Sequence, residues 1–183
     1  MFFTSKLKYF FAVFLFYGCQ PDVTSINVTS KHLSIVDSVM LYRNKPYSGT
    51  LLSKIDTVIT YKVNYLDGIK HGEEQKFFFN GDKAELKYFN KGKKTGTHKS
   101  WWYNNQIKSE YHFNDTGNYI GTQREWHSNG QLIKEFNYTN GKEEGKQKKW
   151  DIKGKITTNY ETINGERYGL IGSNKCKPDN YVD

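Results

Sequence analysis

Cysteine is nearly missing from this chain of 183 residues: there are two, Cys19 and Cys176. That is too few for a disulfide scaffold or a cysteine-based zinc site. Proline is as scarce, with three residues, so long polyproline segments are excluded. No apolar run is long enough to cross a bilayer as a helix, which takes about 20 residues; the longest spans Tyr9–Tyr17. There is no Gly-x-Ser-x-Gly elbow, phosphate loop or zincin pattern. The five histidines, His32, His71, His98, His112 and His127, show no ligand spacing. Carboxylates are scattered, and nothing marks two of them as a glycosidase pair. These absences argue against an enzyme, and no metal or small-molecule cofactor is implied. Acid is outnumbered by base, 19 to 27, for a net charge of +8.

What is abundant is glycine and aromatic residues, at regular places. Gly68, Gly92, Gly117, Gly141 and Gly165 recur at steps of 24 residues, with a single step of 25. Each is followed four residues later by a second glycine: Gly72, Gly96, Gly121, Gly145 and Gly169. Five residues past the second glycine stand Phe77, Trp101, Trp126 and Trp150. A turn follows at Asn80-Gly81, Asn104-Asn105, Asn129-Gly130 or Lys153-Gly154. A fixed period in this range marks a stacked repeat. Pro46-Tyr47-Ser48-Gly49 reads as a degenerate opening copy.

Within a copy, apolar and polar residues alternate with period two on both sides of the turn, so each copy reads as a β-hairpin. In the clearest one, a three-residue loop at Ser128-Asn129-Gly130 pairs Trp126 with Leu132. That register places Trp126, Leu132, Phe136 and Tyr138 on one face and makes Trp126 a buried anchor. Such a loop needs a positive φ at its last residue, which Gly130 supplies and Asn105 tolerates. In the first full copy the same alternation favours a two-residue Asn80-Gly81 turn. The Gly-x-x-x-Gly segments read as tight polar links between hairpins. The expectation is therefore an all-β fold: an elongated single antiparallel sheet of stacked β-hairpin repeats over residues 45–172.

These motifs resemble MORN repeats, and more closely the bacterial MORN-variant family of antitoxin-component (YwqK-like) proteins. The resemblance rests on Gly68-Ile-Lys-His-Gly72, Gly141-Lys-Glu-Glu-Gly145 and Trp126-His-Ser-Asn-Gly-Gln-Leu132, followed by Phe136 and Tyr138. It implies the stacked-hairpin fold and a protein partner, with a toxin as one candidate. It carries over no individual catalytic or binding residue.

Residues 1–18 read as an export signal, with Lys6 and Lys8 before the apolar run. Leu15-Phe16-Tyr17-Gly18-Cys19 resembles a lipobox, which implies cleavage before Cys19 and acylation of its sulfur. Residues 19–44 then form a tether, up to about Lys31, and one or two short strands around Leu33–Val36 and Val39–Tyr42. Residues 173–183 form a polar, flexible tail. The placement is the bacterial cell envelope, lipid-anchored, at the outer membrane if the host is Gram-negative, because Gln20 is not the inner-membrane Asp signal.

The functional expectation is a non-catalytic binding or scaffold module that recognises a protein or glycan partner through its sheet. One alternative is an antitoxin-like protein that neutralises a toxin. Another is an envelope enzyme with an unrecognised carboxylate site. Trp102 breaks the pattern: its neighbours Trp101 and Tyr103 share the anchor face, so Trp102 points to the polar face. It serves there as a recognition hot spot or packs under the N-terminal segment. The polar face would also carry His98, Ser100, Lys108, Glu110 and His112. Lys93 and Lys94 head the basic links, which form either a solvated face or a surface for acidic groups. Export separates the chain from cytosolic nucleic acid, so no nucleic-acid partner is expected.

Overall fold

The computed structural model describes residues 25–172. The signal at 1–18, Cys19 and its lipidation, Cys176 and the tail at 173–183 lie outside the described residues. Within them every regular element is a strand. The chain opens with β1 (Ser25–Asn27), β2 (Leu33–Val36), β3 (Val39–Tyr42), β4 (Lys45–Pro46) and β5 (Gly49–Ile55). It continues with β6 (Val58–Leu66), β7 (Ile69–Phe77), β8 (Lys83–Asn90), β9 (Lys93–Trp101) and β10 (Ile107–Phe113). The last five are β11 (Gly121–Trp126), β12 (Leu132–Thr139), β13 (Lys142–Trp150), β14 (Ile156–Ile163) and β15 (Glu166–Leu170).

β5 to β15 lie side by side in chain order and, with β1 at the start, form one 12-stranded sheet. At about 4.8 Å per strand it extends roughly 50 Å across its strands. All pairings are antiparallel except β1 with β5. The stretch read as a tether therefore contributes a strand: Ser25–Asn27 pairs with Thr50–Leu52. β2, β3 and β4 form a separate three-stranded sheet, which supplies the expected short strands. That sheet packs Leu33, Met40 and Tyr42 against Leu51, Val63, Tyr61 and Tyr65, around buried Tyr47. This is the main apolar cluster, and it sits at the N-terminal end of the array.

Three-residue loops connect β9 to β10 and β11 to β12 as expected: Trp101 pairs with Ile107 and Trp126 with Leu132. Asn105 and Gly130 carry the positive φ values, 62° and 83°. The first full copy does the same, contrary to the two-residue turn read from its alternation. Phe77 pairs with Lys83, and the Phe78 amide donates to the Asp82 carbonyl. A one-residue bulge at Ala84 restores the parity that a shorter turn would have supplied.

The same bulge corrects the assignment of faces in the copies that follow. Trp126 pairs with Leu132, but Glu125 pairs with Lys134 and Gln123 with Phe136, so Ile133 is skipped. Trp126 and Leu132 therefore lie on one face, and Phe136 and Tyr138 on the other, with Gln123. The shared apolar face expected for all four does not form, because a skipped residue flips every side chain beyond it. One face, the tyrosine face, carries Tyr61, Val63, Tyr111, Phe113, Phe136 and Tyr160. The other, the tryptophan face, carries Trp101, Trp126 and Trp150 with polar pairs such as Arg124–Glu135 at 2.9 Å.

The Gly-x-x-x-Gly segments are not loops between hairpins. The first glycine closes a two-residue turn with the residue before it, as in Asp67-Gly68 (φ 50° and 77°) and Lys91-Gly92 (φ 47° and 81°). Positive φ at both positions matches the twist of the flanking strands. The second glycine already lies in the next strand, at a second bulge: Leu86 pairs with Lys99 but Tyr88 with Thr95. The longer step of 25 falls in the Asn114–Gly121 connection. There the Asn114 side chain accepts from the amides of Thr116 and Asn118. Turns are also tied sideways: the amides of Gly68, Gly92 and Gly141 donate to the carbonyls of Tyr47, Lys70 and Tyr119 in the preceding turn. Tyr47 thus holds the place in the opening copy that Lys70 holds in the next.

Candidate functional site

Beyond the N-terminal cluster no described residues form a second layer over the sheet, which satisfies polar groups within itself. The bulge at the second glycine interrupts the ladder with the preceding strand. In three of the copies the side chain two residues after that glycine makes up the loss. In successive copies this residue is Leu51, Glu74, His98, Gln123 and Gln147, and all are buried. Gln147 is 0% exposed. Its Oε1 accepts from the Asn137 amide at 2.8 Å, and its Nε2 donates to the Asn137 carbonyl at 2.9 Å. Gln123 does the same for His112, at 2.8 and 3.3 Å. The carboxamide replaces the missing strand peptide, donor for donor and acceptor for acceptor. His98 Nε2 makes the corresponding bond to the Tyr88 carbonyl, at 2.9 Å. Burial lowers the pKa of this imidazole.

On the tyrosine face, phenols and lysines meet carboxylates. Tyr61 donates to Glu74 at 2.5 Å, Tyr111 to Glu125 at 2.7 Å and Tyr160 to Glu143 at 2.8 Å. Burial, then the carboxylate, raises all three phenols, Tyr160 to about 12. Burial also pushes Glu74, Glu85 and Glu125 up, but hydrogen bonds from Lys70, Lys87 and Lys134 respectively outweigh it, and each ends below its ordinary value. Glu85 lies between Lys76 at 3.0 Å and Lys87 at 2.7 Å. Lysines also cover rings: Lys70 over Phe89, Lys94 over Phe113, and Lys134 and Lys149 over Phe136, at 5.1 to 5.3 Å.

The groove that joins sequence-predicted residues lies in the middle of this face. Lys94 and His98 line it together with Glu85, Lys87, Lys99, Ser100, Ser109, Tyr111, Phe113 and Tyr119. Its volume is about 170 Å³. The Ser100 and Ser109 hydroxyls are hydrogen-bonded to each other at 2.6 Å.

The other expected residues separate from it. His112 faces the tryptophan side: its Nδ1 meets the Thr97 hydroxyl at 3.0 Å and its Nε2 the Glu110 carboxylate at 3.3 Å. Glu110 also pairs with Lys99 at 3.0 Å. The polar rim expected around Trp102 is thus split, because the skipped Lys108 reverses the parity between Trp101 and Ser109. Lys108 does reach Trp102, with its ammonium 4.5 Å from the ring centroid. Trp102 itself is half-buried at the head of its loop, and its indole N–H donates to the Trp126 carbonyl at 3.0 Å. It bridges two hairpins. Lys93 is exposed beside the Lys91-Gly92 turn. Among the described residues no cluster of three or more His, Cys, Asp or Glu could hold a metal ion, and no helix is long and apolar enough to cross a membrane.

No protein-family model and no curated protein matches the chain. Among solved structures there is a likeness to an S. aureus TarM mutant in complex with fondaparinux, alpha-GlcNAc-glycerol and UDP, at 14% identity and a TM-score of 0.31. It covers 62% of this chain and 21% of that one.

Proposed function

We propose that the protein is a non-catalytic binding module of the bacterial cell envelope, anchored through an acylated Cys19, and that it recognises a protein or glycan partner on its repeat sheet. The observation that carries this reading is the tyrosine face beyond the N-terminal cluster: a sheet surface that combines aromatic rings, lysines and a groove, over which none of the described residues form a second layer. The titrating groups there serve the fold. Glu74, Glu85, Glu125 and Glu143 are each held by lysine, arginine or tyrosine, and His98 is bonded to a strand carbonyl. A general acid or base needs a free proton site facing a substrate, and these groups are engaged. The MORN-like period supports the same class of role.

The test is cross-linked affinity capture from intact envelopes, using the wild-type chain and three variants. Cys19→Ala should move the protein to the soluble fraction, and intact mass should show a mature terminus at Cys19. Lys94→Glu, on the tyrosine face, should reduce capture of the partner. Trp102→Ala asks whether the bridge between hairpins also touches the partner. Retention of Met1 together with undiminished capture by Lys94→Glu would refute the proposal.

A further inference from the structure

Successive copies place equivalent side chains at equivalent points, so the array can be compared with itself. Two residues after the first glycine stand Lys70 and, one copy on, Lys94. Four residues further stand Glu74 and His98. The Lys70 ammonium lies over Phe89 and closes on the Glu74 carboxylate at 2.8 Å. The Lys94 ammonium lies over Phe113 in the same way, at 5.3 Å. Its expected carboxylate is gone, because His98 stands there and spends its Nε2 on the Tyr88 carbonyl. Among the described residues Lys94 makes no ion pair. The copy keeps the cation and has lost the anion.

The missing anion leaves a shaped place. Around it stand the half-buried rings of Tyr111 and Tyr119 and the Ser100–Ser109 hydroxyl pair. Each of these hydroxyls retains hydrogen-bonding capacity beyond their mutual bond. Lys87 and Lys99 line the groove too, but Lys87 pairs with Glu85 at 2.7 Å, a carboxylate it shares with Lys76, and Lys99 pairs with Glu110 at 3.0 Å. Lys94 is therefore the lining lysine that makes no ion pair, and the groove is net positive, which fits a carboxylate. Its volume of about 170 Å³ accepts one small unit rather than a whole ligand. The strands beneath it, β8 to β11, all have neighbours on both sides, so an extended peptide cannot add there as a strand. Ring faces, hydroxyls and one cation together match a pyranose that carries a carboxylate.

We propose that the Lys94 groove binds the carboxylate of an acidic sugar unit within a glycan. Lys94 supplies the cation, Ser100 and Ser109 bond the sugar hydroxyls, and Tyr111 and Tyr119 contact its apolar face. The proposal rests on the binding-module reading and gives it a ligand class.

The experiment is calorimetric titration of the full-length chain in detergent, with trigalacturonate and its methyl ester as probes. The ester keeps the sugars and removes the charge. The acid should bind, the ester should bind roughly tenfold more weakly or worse, and added salt should weaken the acid. Lys94→Gln should cost the acid roughly tenfold, and Lys148→Gln, on the tryptophan face, should leave it unchanged. His98→Glu restores the internal carboxylate of the preceding copy and should abolish binding; it also gives up the bond to the Tyr88 carbonyl, so its melting temperature should fall. If that variant fails to fold, Lys94→Gln still decides. Equal binding of acid and ester, equal losses in Lys94→Gln and Lys148→Gln, or no binding at millimolar probe would each overturn the proposal. So would inorganic phosphate that competes as well as the sugar acid, because the groove would then read a bare anion. Failure here with face-dependent capture from envelopes intact would remove this site and leave the binding module standing.

Discussion

Replacing Gln147 with leucine should destabilise the protein by about 2–4 kcal/mol, although leucine is apolar, similar in size and well suited to a buried position. The estimate follows from what the carboxamide holds. β12 and β13 pair at Phe136–Gln147 and next at Tyr138–Glu143, so Asn137 has no ladder partner on β13. Its amide and carbonyl are met by the two ends of one side chain, at 2.8 and 2.9 Å. Nε2 also lies 3.3 Å from the carbonyls of Glu144 and Gly145. In Gln147→Leu the Asn137 amide loses its acceptor and the carbonyl its donor. A buried group left without a partner costs about 1–3 kcal/mol, and leucine's apolar burial returns part of the sum. Gln147→Glu should be no better, because a carboxylate accepts from the amide but faces three carbonyl oxygens with no proton to give. Urea unfolding followed by tryptophan fluorescence gives the stability. Hydrogen exchange at the Asn137 amide gives the mechanism, since that amide should lose protection before its neighbours. A Gln147→Leu variant within about 0.5 kcal/mol of wild type, with the Asn137 amide still protected, would refute the surrogate-peptide account.

Three further outcomes are expected. Glu74, Glu85, Glu110 and Glu125 all have carboxyl pKa values below the ordinary value: burial raises them, and lysine hydrogen bonds lower them further. Their stabilisation is complete above the unfolded value of 4.5 and is lost as pH falls through the folded values, so Glu125→Gln should flatten the acid limb of melting temperature against pH. Gly68→Ala should destabilise far more than Gly165→Ala. Both have positive φ, but a Cβ at Gly68 would stand 2.3 Å from Val39 Cγ1 and 2.8 Å from the Met40 carbonyl, whereas at Gly165 it meets nothing within 4 Å; equal melting temperatures would defeat the comparison. Trp126→Ala should cost about 1–3 kcal/mol rather than the roughly 3–5 of a fully buried tryptophan, because Trp126 is half-buried and shares its face with Leu132 but not Phe136, and a larger loss in urea unfolding would mean that this row packs more tightly than it does.

The glycine spacing was enough to read the period and the strand count per copy. Asn129-Gly130 and Asn104-Asn105 were enough to read the three-residue loops, because only residues that tolerate positive φ close them. What the alternation could not show is the bulge. A period-two reading assumes that no residue is skipped, and Ala84, Lys108 and Ile133 are each skipped once per hairpin. The consequence was a wrong partition of faces for Trp126 and Phe136, and for His98 and His112. His98 was also taken as a polar-face residue, although it is 3% exposed. Hydrophobicity cannot reveal a buried side chain whose task is to satisfy a strand. One signal was present all the same: Glu74, His98, Gln123 and Gln147 hold the same offset from the second glycine, and each carries a hydrogen-bonding group. Lys94 and His98 were legible as candidates, but the groove that joins them depends on Ser100, Ser109 and Tyr119, brought together from two strands and the connection before β11.

The apolar cluster of Tyr47, Leu51 and Val63 is confined to one end of the array, and this gives folding a direction. A hairpin alone gains too little apolar burial to hold its own chain entropy, so the first stable contact must form where rings and aliphatic chains meet in three dimensions. That place is the junction of the two sheets. From there each new hairpin finds a finished strand to pair with, and every contact is between neighbours in sequence, which keeps loop-closure entropy low. Assembly then proceeds as a zipper from β5 towards β15, and melting runs the other way. β15, exposed along its whole length, opens first, and the strands around Val63 open last.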